Sequence, residues 1–166
     1  MLAGGAPAQS NVTVVEVRTA LGADGARPGS TLKVAAVASI APGFHINDHK
    51  PTLDYLIPTE WKLEPSKQVS VEKIVYPKGA LKKFAFSDTQ LSVYEGTLTV
   101  GAVLKVDPKA PPGSYALKGQ FKYQACNDHA CLPPKSVPAN LVVKVLRRGE
   151  PVKRANADVF THVQLD

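Results

Sequence analysis

The only two cysteines of the 166-residue chain lie close together, in the segment FKYQACNDHACLPPK. Four residues, Asn-Asp-His-Ala, separate Cys126 from Cys131, and two prolines follow after Leu132. A loop of four residues is a common β-hairpin connection, so the cysteines are predicted to face each other on neighbouring strands. Cα atoms paired in this way lie about 4.5–5.5 Å apart, which a disulfide bond tolerates. A bond between Cys126 and Cys131 is therefore geometrically easy.

Three kinds of chemistry are compatible with this pair. A disulfide that closes so short a loop stabilises a fold by only about 2 kcal/mol, and a chain of this length can bury a core without it. An exposed disulfide of this kind exchanges with other thiols, which favours a redox-active pair that needs no cofactor. An inert hairpin disulfide remains an alternative. A second alternative is a Cu(I) or zinc module that uses Cys126, His129 and Cys131 as ligands.

The loop between the cysteines carries two residues that could tune the sulfurs. A cationic His129 would lower the pKa of a nearby thiol, whereas the carboxylate of Asp128 would act in the opposite direction. His129 is also compatible with a plain polar hairpin tip. In the metal alternative a closed zinc site needs a fourth ligand, which His45 or His49 could supply only if the fold happened to bring one of them close.

The strand that leads to the first cysteine is predicted to run from Tyr115 to Cys126, with alternate side chains on opposite faces. One face is apolar or small: Tyr115, Leu117, Gly119, Phe121, Tyr123 and Ala125. Because Cys126 belongs to the other, mostly polar set, it is predicted to face solvent, unless a β-bulge shifts the alternation. The spacing and this face argue against the inter-sheet disulfide of immunoglobulin domains, and Trp61 precedes both cysteines instead of lying between them.

Short strand patterns separated by turn residues recur along the rest of the chain. Strands are predicted at residues 11–20, 31–40, 69–76, 91–94, 97–106, 115–126 and 136–146, with shorter pieces within 54–65. About eight such strands with regular turns predict an all-β protein, a β-sandwich. Residues 1–10 are predicted to be a flexible tail, residues 11–146 one domain, and residues 147–166 a polar and mobile C-terminal tail.

Charge and hydropathy exclude some classes of function. The net charge is +6, but the basic residues near the C-terminus have no aromatic residues interleaved with them, so no nucleic-acid partner is expected. No apolar run approaches the roughly 18–20 residues of a membrane span. The first residues lack the basic and apolar segments of a signal peptide, which suggests a mature or excised module of a longer protein.

The cysteine segment resembles the active-site hairpin of the N-terminal periplasmic domain of the thiol:disulfide interchange protein DsbD family. The family pattern is Tyr-Gln-x-Cys, a short loop, and then Cys-x-Pro-Pro. The matching positions are Tyr123, Gln124, Cys126, Cys131, Pro133 and Pro134. The segments PGFHIN at 42–47 and LIPTEWKL at 56–63 are similar to family segments ahead of the active site, and the likeness covers about residues 10–146.

This resemblance implies an immunoglobulin-like fold, a periplasmic location and a thiol:disulfide oxidoreductase. Such a domain takes electrons from a membrane-embedded partner domain and passes them to a disulfide isomerase and to thioredoxin-like proteins of cytochrome c biogenesis. The resemblance implies that Cys126 forms the mixed disulfides with partners. It also implies a flexible cap loop around residues 84–88, in which Phe84 or Phe86 shields the cysteines.

Overall fold

The computed structural model describes residues 13–166, so the tail predicted for residues 1–10 lies outside the described part. Within that part thirteen β-strands and one short helix follow one another, and all named strand pairs are antiparallel. No helix in residues 13–166 has the length and apolar character that crossing a membrane requires. The elements are β1 (Val15–Leu21), β2 (Thr31–Ile40), β3 (His45–Asn47), β4 (Glu60–Leu63), β5 (Val69–Val75), β6 (Ala80–Lys82), β7 (Leu91–Tyr94), β8 (Thr97–Val106), β9 (Gly113–Leu117), β10 (Gly119–Tyr123), β11 (Ala125–Cys126), β12 (Lys135–Pro138), β13 (Leu141–Val145) and α1 (Ala157–Phe160).

Four strands form the sheet that we call the large sheet, in the order β1-β2-β8-β5. Its two central strands, β2 and β8, have ten residues each and are rich in valine, alanine and leucine. The valines favour a strand, and the nearly continuous apolar run is typical of strands that are buried on both faces. The predicted bounds of β2, β7 and β8 agree with the structure, and those of β1 and β5 agree to within a few residues.

A second layer closes the core of the protein. It consists of the three-stranded sheet β12-β10-β4 and the pair β13-β9. Trp61 on β4, Phe121 on β10 and Val143 on β13 belong to the same apolar cluster as Val34 and Leu104 of the large sheet. The side chains of both layers therefore share one core. The predicted fold class, an all-β immunoglobulin-like β-sandwich, is confirmed.

Two strand predictions in the C-terminal half are wrong, because each joins strands of different sheets. Residues 115–126 form β9, β10 and β11, which pair with different partners, and residues 136–146 form β12 and β13. At Gly119 the backbone passes so close to Ala139 that an added Cβ would lie 2.1 Å from its carbonyl oxygen. The Asn140 side chain accepts a hydrogen bond from the Gly119 amide at 2.9 Å. The chain changes sheets here while the alternation of side chains continues.

The C-terminal segment is packed and not loose. Val159, Val163 and Leu165 are buried against the outer face of the large sheet. Gly101 on β8 makes room for this segment, because a Cβ there would lie 2.8 Å from Leu165 Cδ2. The last part of the predicted tail is therefore packed on the sheet, which explains why the outer face of β2 and β8 is apolar. The division of the chain into two tails and one domain stays a prediction.

Candidate functional site

A small sheet positions the two cysteines. We call it the site sheet, and its strand order is β11-β3-β7-β6. The edge strand β11 pairs with β3, so that Ala125 lies opposite Ile46 and Cys126 lies opposite His45. All three residues of β3 are buried. The first cysteine therefore lies beside a short, fully enclosed strand.

The hairpin makes the two cysteines face each other as predicted, with a Cα separation shorter than the expected range of about 4.5–5.5 Å. Cys126 and Cys131 form a disulfide, with their Cα atoms 3.9 Å apart, and their backbones form an antiparallel bridge. Asn127 shapes the loop: its amide donates to the Ala130 carbonyl at 2.9 Å, and its side-chain oxygen accepts from the amides of His129 and Ala130, both at 2.8 Å. Asparagine favours turns for this reason, since its side chain can hydrogen bond the backbone two residues further on.

The segment that follows the second cysteine is attached to the strand that precedes the first. The Leu132 amide donates to the Ala125 carbonyl at 2.8 Å, and the Gln124 side chain donates to the Leu132 carbonyl at 3.2 Å. Pro133 and Pro134 have no amide hydrogen and restrict the backbone. The Tyr-Gln-x-Cys and Cys-x-Pro-Pro pieces of the motif thus hold the hairpin from both sides.

The two sulfur-bearing residues differ in exposure. Cys126 is only 2% exposed, whereas Cys131 is an exposed residue. The prediction that Cys126 faces solvent is therefore wrong. The prediction assumed that side chains keep alternating from Tyr123 through Gln124 to Cys126. In the structure β10 ends at Tyr123, and β11 belongs to a different sheet. Ala125 and Cys126 are consequently both buried.

The loop of residues 83–90, which connects β6 to β7, reaches the site sheet through one aromatic ring. Phe84 is buried and its ring stacks on that of His45, with centroids 4.3 Å apart. It also belongs to a small apolar cluster with Leu91 and Val93. Phe86 is 49% exposed and stacks on Phe84 at 5.3 Å. Of the two cap candidates, Phe84 thus covers His45, the cross-strand neighbour of Cys126. Phe86 stacks on the Phe84 ring and is half exposed.

His45 is the site residue whose importance sequence reasoning missed, since it was considered only as a possible metal ligand. Burial lowers the pKa of its imidazole, and the charge of Lys82 acts in the same direction. The carboxylates of Glu95 and Asp128 act against this and raise it, without restoring the ordinary value. The only signal in the sequence was its place in the short extended segment PGFHIN.

A partly buried hydrogen-bond network joins the residue after β3 to the β6–β7 hairpin, whose connecting loop is the cap candidate. Asp48 accepts hydrogen bonds from the Ser92 hydroxyl at 2.6 Å, the Tyr94 hydroxyl at 2.9 Å, and the amides of Gly79 and Lys50 at 3.1 and 3.2 Å. Burial tends to raise the pKa of Asp48, but these hydrogen bonds outweigh it and lower the pKa. Burial raises the pKa of Tyr94. These polar contacts therefore hold the base of the β6–β7 hairpin in place.

The other residues predicted to act at the site are not brought together as a ligand set. Asp128 and His129 are exposed on the hairpin loop. In residues 13–166 no cluster of three or more His, Cys, Asp or Glu side chains is placed to hold a metal ion. Cys126 and Cys131 are joined in a disulfide here, so their thiolates are not available as ligands, and the metal alternative with His129 stays a prediction. The tuning role of His129 and Asp128 stays a prediction.

Comparison with known proteins gives one family and a similar fold. A family model described as "Thiol:disulfide interchange protein DsbD, N-terminal" matches residues 11–142. The N-terminal periplasmic domain of ScsB from Proteus mirabilis is similar at a TM-score of 0.53 and 15% identity, covering 76% of this chain. This chain spans only 45% of the length of that structure. At this identity the likeness shows the fold alone.

Two further structures come from Neisseria meningitidis. The DsbD N-terminal domain in its reduced form has a TM-score of 0.47 and 18% identity, covering 84% of this chain and 90% of that one. The complex of the DsbD and PilB N-terminal domains contains a chain with a TM-score of 0.44 and 19% identity, covering 75% of this chain and 80% of that one. A comparison with curated protein sequences finds no significant match.

Proposed function

The chain belongs to the family of DsbD N-terminal domains, and from this membership we propose that it relays reducing equivalents through Cys126 and Cys131. Thiol:disulfide interchange is the activity that the family and the disulfide support. The proposed donor is a membrane-embedded partner domain. The proposed acceptors are periplasmic thioredoxin-like proteins, including a disulfide isomerase and proteins of cytochrome c biogenesis. The proposed location is the periplasm.

The observation that carries this proposal is the unequal exposure of the two cysteines. An accessible Cys131 can be attacked by the thiolate of a partner, whereas Cys126 is enclosed by the site sheet. In the proposed exchange a partner thiolate bonds to Cys131 Sγ, and Cys126 leaves as the thiolate. A second partner thiol then resolves the mixed disulfide, and two electrons have passed to this domain. Exposure favours Cys131 for the mixed disulfide, in place of Cys126 as the resemblance implied.

The loop of residues 83–90 is proposed to act as the cap, with Phe84 as the shield. Its ring covers His45, which lies opposite Cys126. A partner that reaches the disulfide would displace the loop, and stray small thiols would be hindered while the loop is closed. Phe86, which is half exposed and stacked on Phe84, would offer a contact for the partner. On the hairpin loop, a cationic His129 would favour a leaving thiolate and Asp128 would oppose it.

Trapping of mixed disulfides tests the proposal. In Cys126→Ser the remaining Cys131 should form a stable adduct with a thioredoxin-like protein whose own resolving cysteine is removed, visible on non-reducing gels. Cys131→Ser should give much less adduct, because its remaining thiol is buried. The double serine variant is the control and should give none.

Each other outcome has a definite meaning. Adducts mainly from Cys131→Ser would return the partner-facing role to Cys126. An absence of adducts from both single variants would contradict the exchange function. A reduction potential of the native pair below about −300 mV would indicate an inert structural disulfide.

A further inference from the structure

His45 faces the buried cysteine across the first pair of strands in the site sheet. Directly opposed residues of an antiparallel pair project to the same side of a sheet, with Cβ atoms about 4.5–5.5 Å apart. His45 and Cys126 are such a pair, and each is only 2% exposed. The imidazole and the Cys126 sulfur therefore lie on the same side of the site sheet, both buried, and Phe84 covers the imidazole by stacking on it.

The charges that face this imidazole come from three other parts of the chain. Asp128 lies on the cysteine hairpin, Glu95 follows β7, and Lys82 ends β6. Lys82 and Glu95 form an ion pair with each other. Glu95 raises the pKa of His45, and Lys82 lowers it. Of these three charges Glu95 has the largest effect on His45, followed by Asp128 and then Lys82, so both carboxylates favour a protonated imidazole. The second histidine of this region is committed elsewhere, since the Nδ1 atom of His49 lies 2.9 Å from the Thr59 carbonyl.

Opening of the disulfide places a new charge on this side of the site sheet. When a partner attacks Cys131, the electron pair of the broken bond stays on the Cys126 sulfur. A buried thiolate is costly unless a cation or a hydrogen-bond donor pairs with it. We propose that His45 is a positioning residue of the exchange reaction: its imidazole holds a proton beside the Cys126 thiolate that forms when the disulfide opens. This inference rests on the proposed function.

The steps balance in atoms and electrons. A partner dithiol supplies two electrons: its thiolate bonds to Cys131 Sγ, and the disulfide bond breaks to leave Cys126 as a thiolate. The first partner thiol released its proton to solvent when it became a thiolate, and His45 takes up one proton from solvent in its place and pairs with the Cys126 thiolate. The second partner thiol loses its proton and attacks the partner sulfur of the mixed disulfide. The partner becomes a disulfide, and Cys131 leaves as a thiolate that takes up the released proton.

A titration of the single thiol in Cys131→Ser tests the proposal without any partner protein. The ultraviolet absorbance of the Cys126 thiolate is followed against pH, with and without a second substitution, His45→Phe. Phenylalanine keeps a ring to stack on Phe84 but cannot hold a proton. The midpoint should rise by about one pH unit, which is a tenfold smaller thiolate fraction below the midpoint. His45→Gln should raise it as well, and it serves if the phenylalanine variant does not fold.

The exposed histidine of the hairpin is the matched control. His129→Gln in the same background should move the midpoint less than His45→Phe, because His129 is exposed and solvent screens its effect on the thiolate, whereas His45 is buried. An unchanged midpoint in the folded His45 variants would overturn the proposal. An equal rise of the midpoint in His129→Gln would overturn it too. The loss of either histidine would then act on the thiolate in the same way, and His45 would have no special role.

The native sequence offers an independent measurement. The ring signals of His45, titrated by NMR, should give a higher pKa in the reduced protein than in the disulfide form, because the thiolate pairs with the imidazolium. Equal pKa values in the two forms would overturn the role of His45. That result would leave the exchange function intact if mixed disulfides still form. If no mixed disulfide forms but the thiolate and His45 titrate as expected, the proposed exchange function is contradicted and the pairing of His45 with the thiolate is not.

Discussion

The large sheet and the site sheet differ in strand length and in the kind of side chain that they bury. The central strands β2 and β8 have ten residues each, and their buried residues are apolar except for Thr99. The strands of the site sheet have two to four residues. One of its two inner strands, β3, buries the polar residues His45 and Asn47.

The two sheets are therefore held in different ways. Burial of continuous apolar strands stabilises the large sheet, in rough proportion to the area removed from water. In the site sheet the Asn47 side chain donates to the Ile57 carbonyl at 2.9 Å, and Thr59 donates to the Asn47 carbonyl at 2.6 Å. Hydrogen bonds fix geometry but add modest net stability. The large sheet therefore contributes most of the stability of the fold. The site sheet can open locally at a smaller cost in free energy.

The largest expected effect is the loss of a core side chain in the large sheet. Leu104 is fully buried on β8, and Leu104→Ala should lower the free energy of unfolding by about 3 kcal/mol. Denaturant titration measures it. Leu81→Ala, at a residue 61% exposed on β6 of the site sheet, is the control and should stay within about 0.5 kcal/mol. Similar losses in both variants would remove the contrast between the sheets.

The next effect concerns the polar network of the site sheet. Asp48→Ala should cost about 2 kcal/mol, because the Ser92 hydroxyl and the Gly79 amide lose their acceptor. The Tyr94 hydroxyl keeps the Pro77 carbonyl as its acceptor, at 2.8 Å. Asp54→Ala, at an exposed carboxylate, is the matched control. If Asp48→Ala proves as harmless as Asp54→Ala in chemical unfolding, the network does not hold the hairpin.

The same network gives a pH dependence. The hydrogen bonds lower the pKa of Asp48 in the folded protein below its ordinary value of 3.8. The carboxylate form therefore stabilises the fold fully above that ordinary value, and this contribution is lost as the pH falls through the folded pKa. The stability gap between the native chain and Asp48→Ala should shrink in that acidic range. A gap that widens there would contradict the lowered pKa.

Removal of the disulfide should have a smaller effect on stability. Because the closed loop is short, the double variant Cys126→Ser with Cys131→Ser should remain folded and lose about 2 kcal/mol or less. The chemically reduced native chain, unfolded in parallel, controls for the serine substitutions. If the double variant is unfolded at room temperature, the fold depends on the disulfide, and the prediction is contradicted.

The smallest effect is expected in the cap loop and appears as a rate. A stacked aromatic pair contributes about 0.5–1.5 kcal/mol, so Phe84→Ala should speed disulfide reduction by glutathione roughly two- to tenfold. Phe86→Ala is the matched variant and should change the rate less, because its ring does not contact His45 in a stack. An unchanged rate in a folded Phe84→Ala protein would exclude the loop from shielding.

The sequence by itself determined the frame and the local chemistry. The bounds of β2, β7 and β8 could be predicted because each strand stays in one sheet, so that side-chain patterning and turns report it directly. The facing of Cys126 and Cys131 could be predicted because a four-residue loop closes locally. Both features depend on residues that are neighbours along the chain.

Only the tertiary structure decided which cysteine is exposed and what lies beside the other. Alternation through residues 115–126 predicted one strand, but the chain changes sheets near Gly119 and again at Gln124. Those changes depend on contacts with Ala139 and with His45, which lie far away in the sequence. A periodic pattern is a local property that continues across a change of sheet. For this physical reason the sequence could not place Cys126 next to a buried histidine.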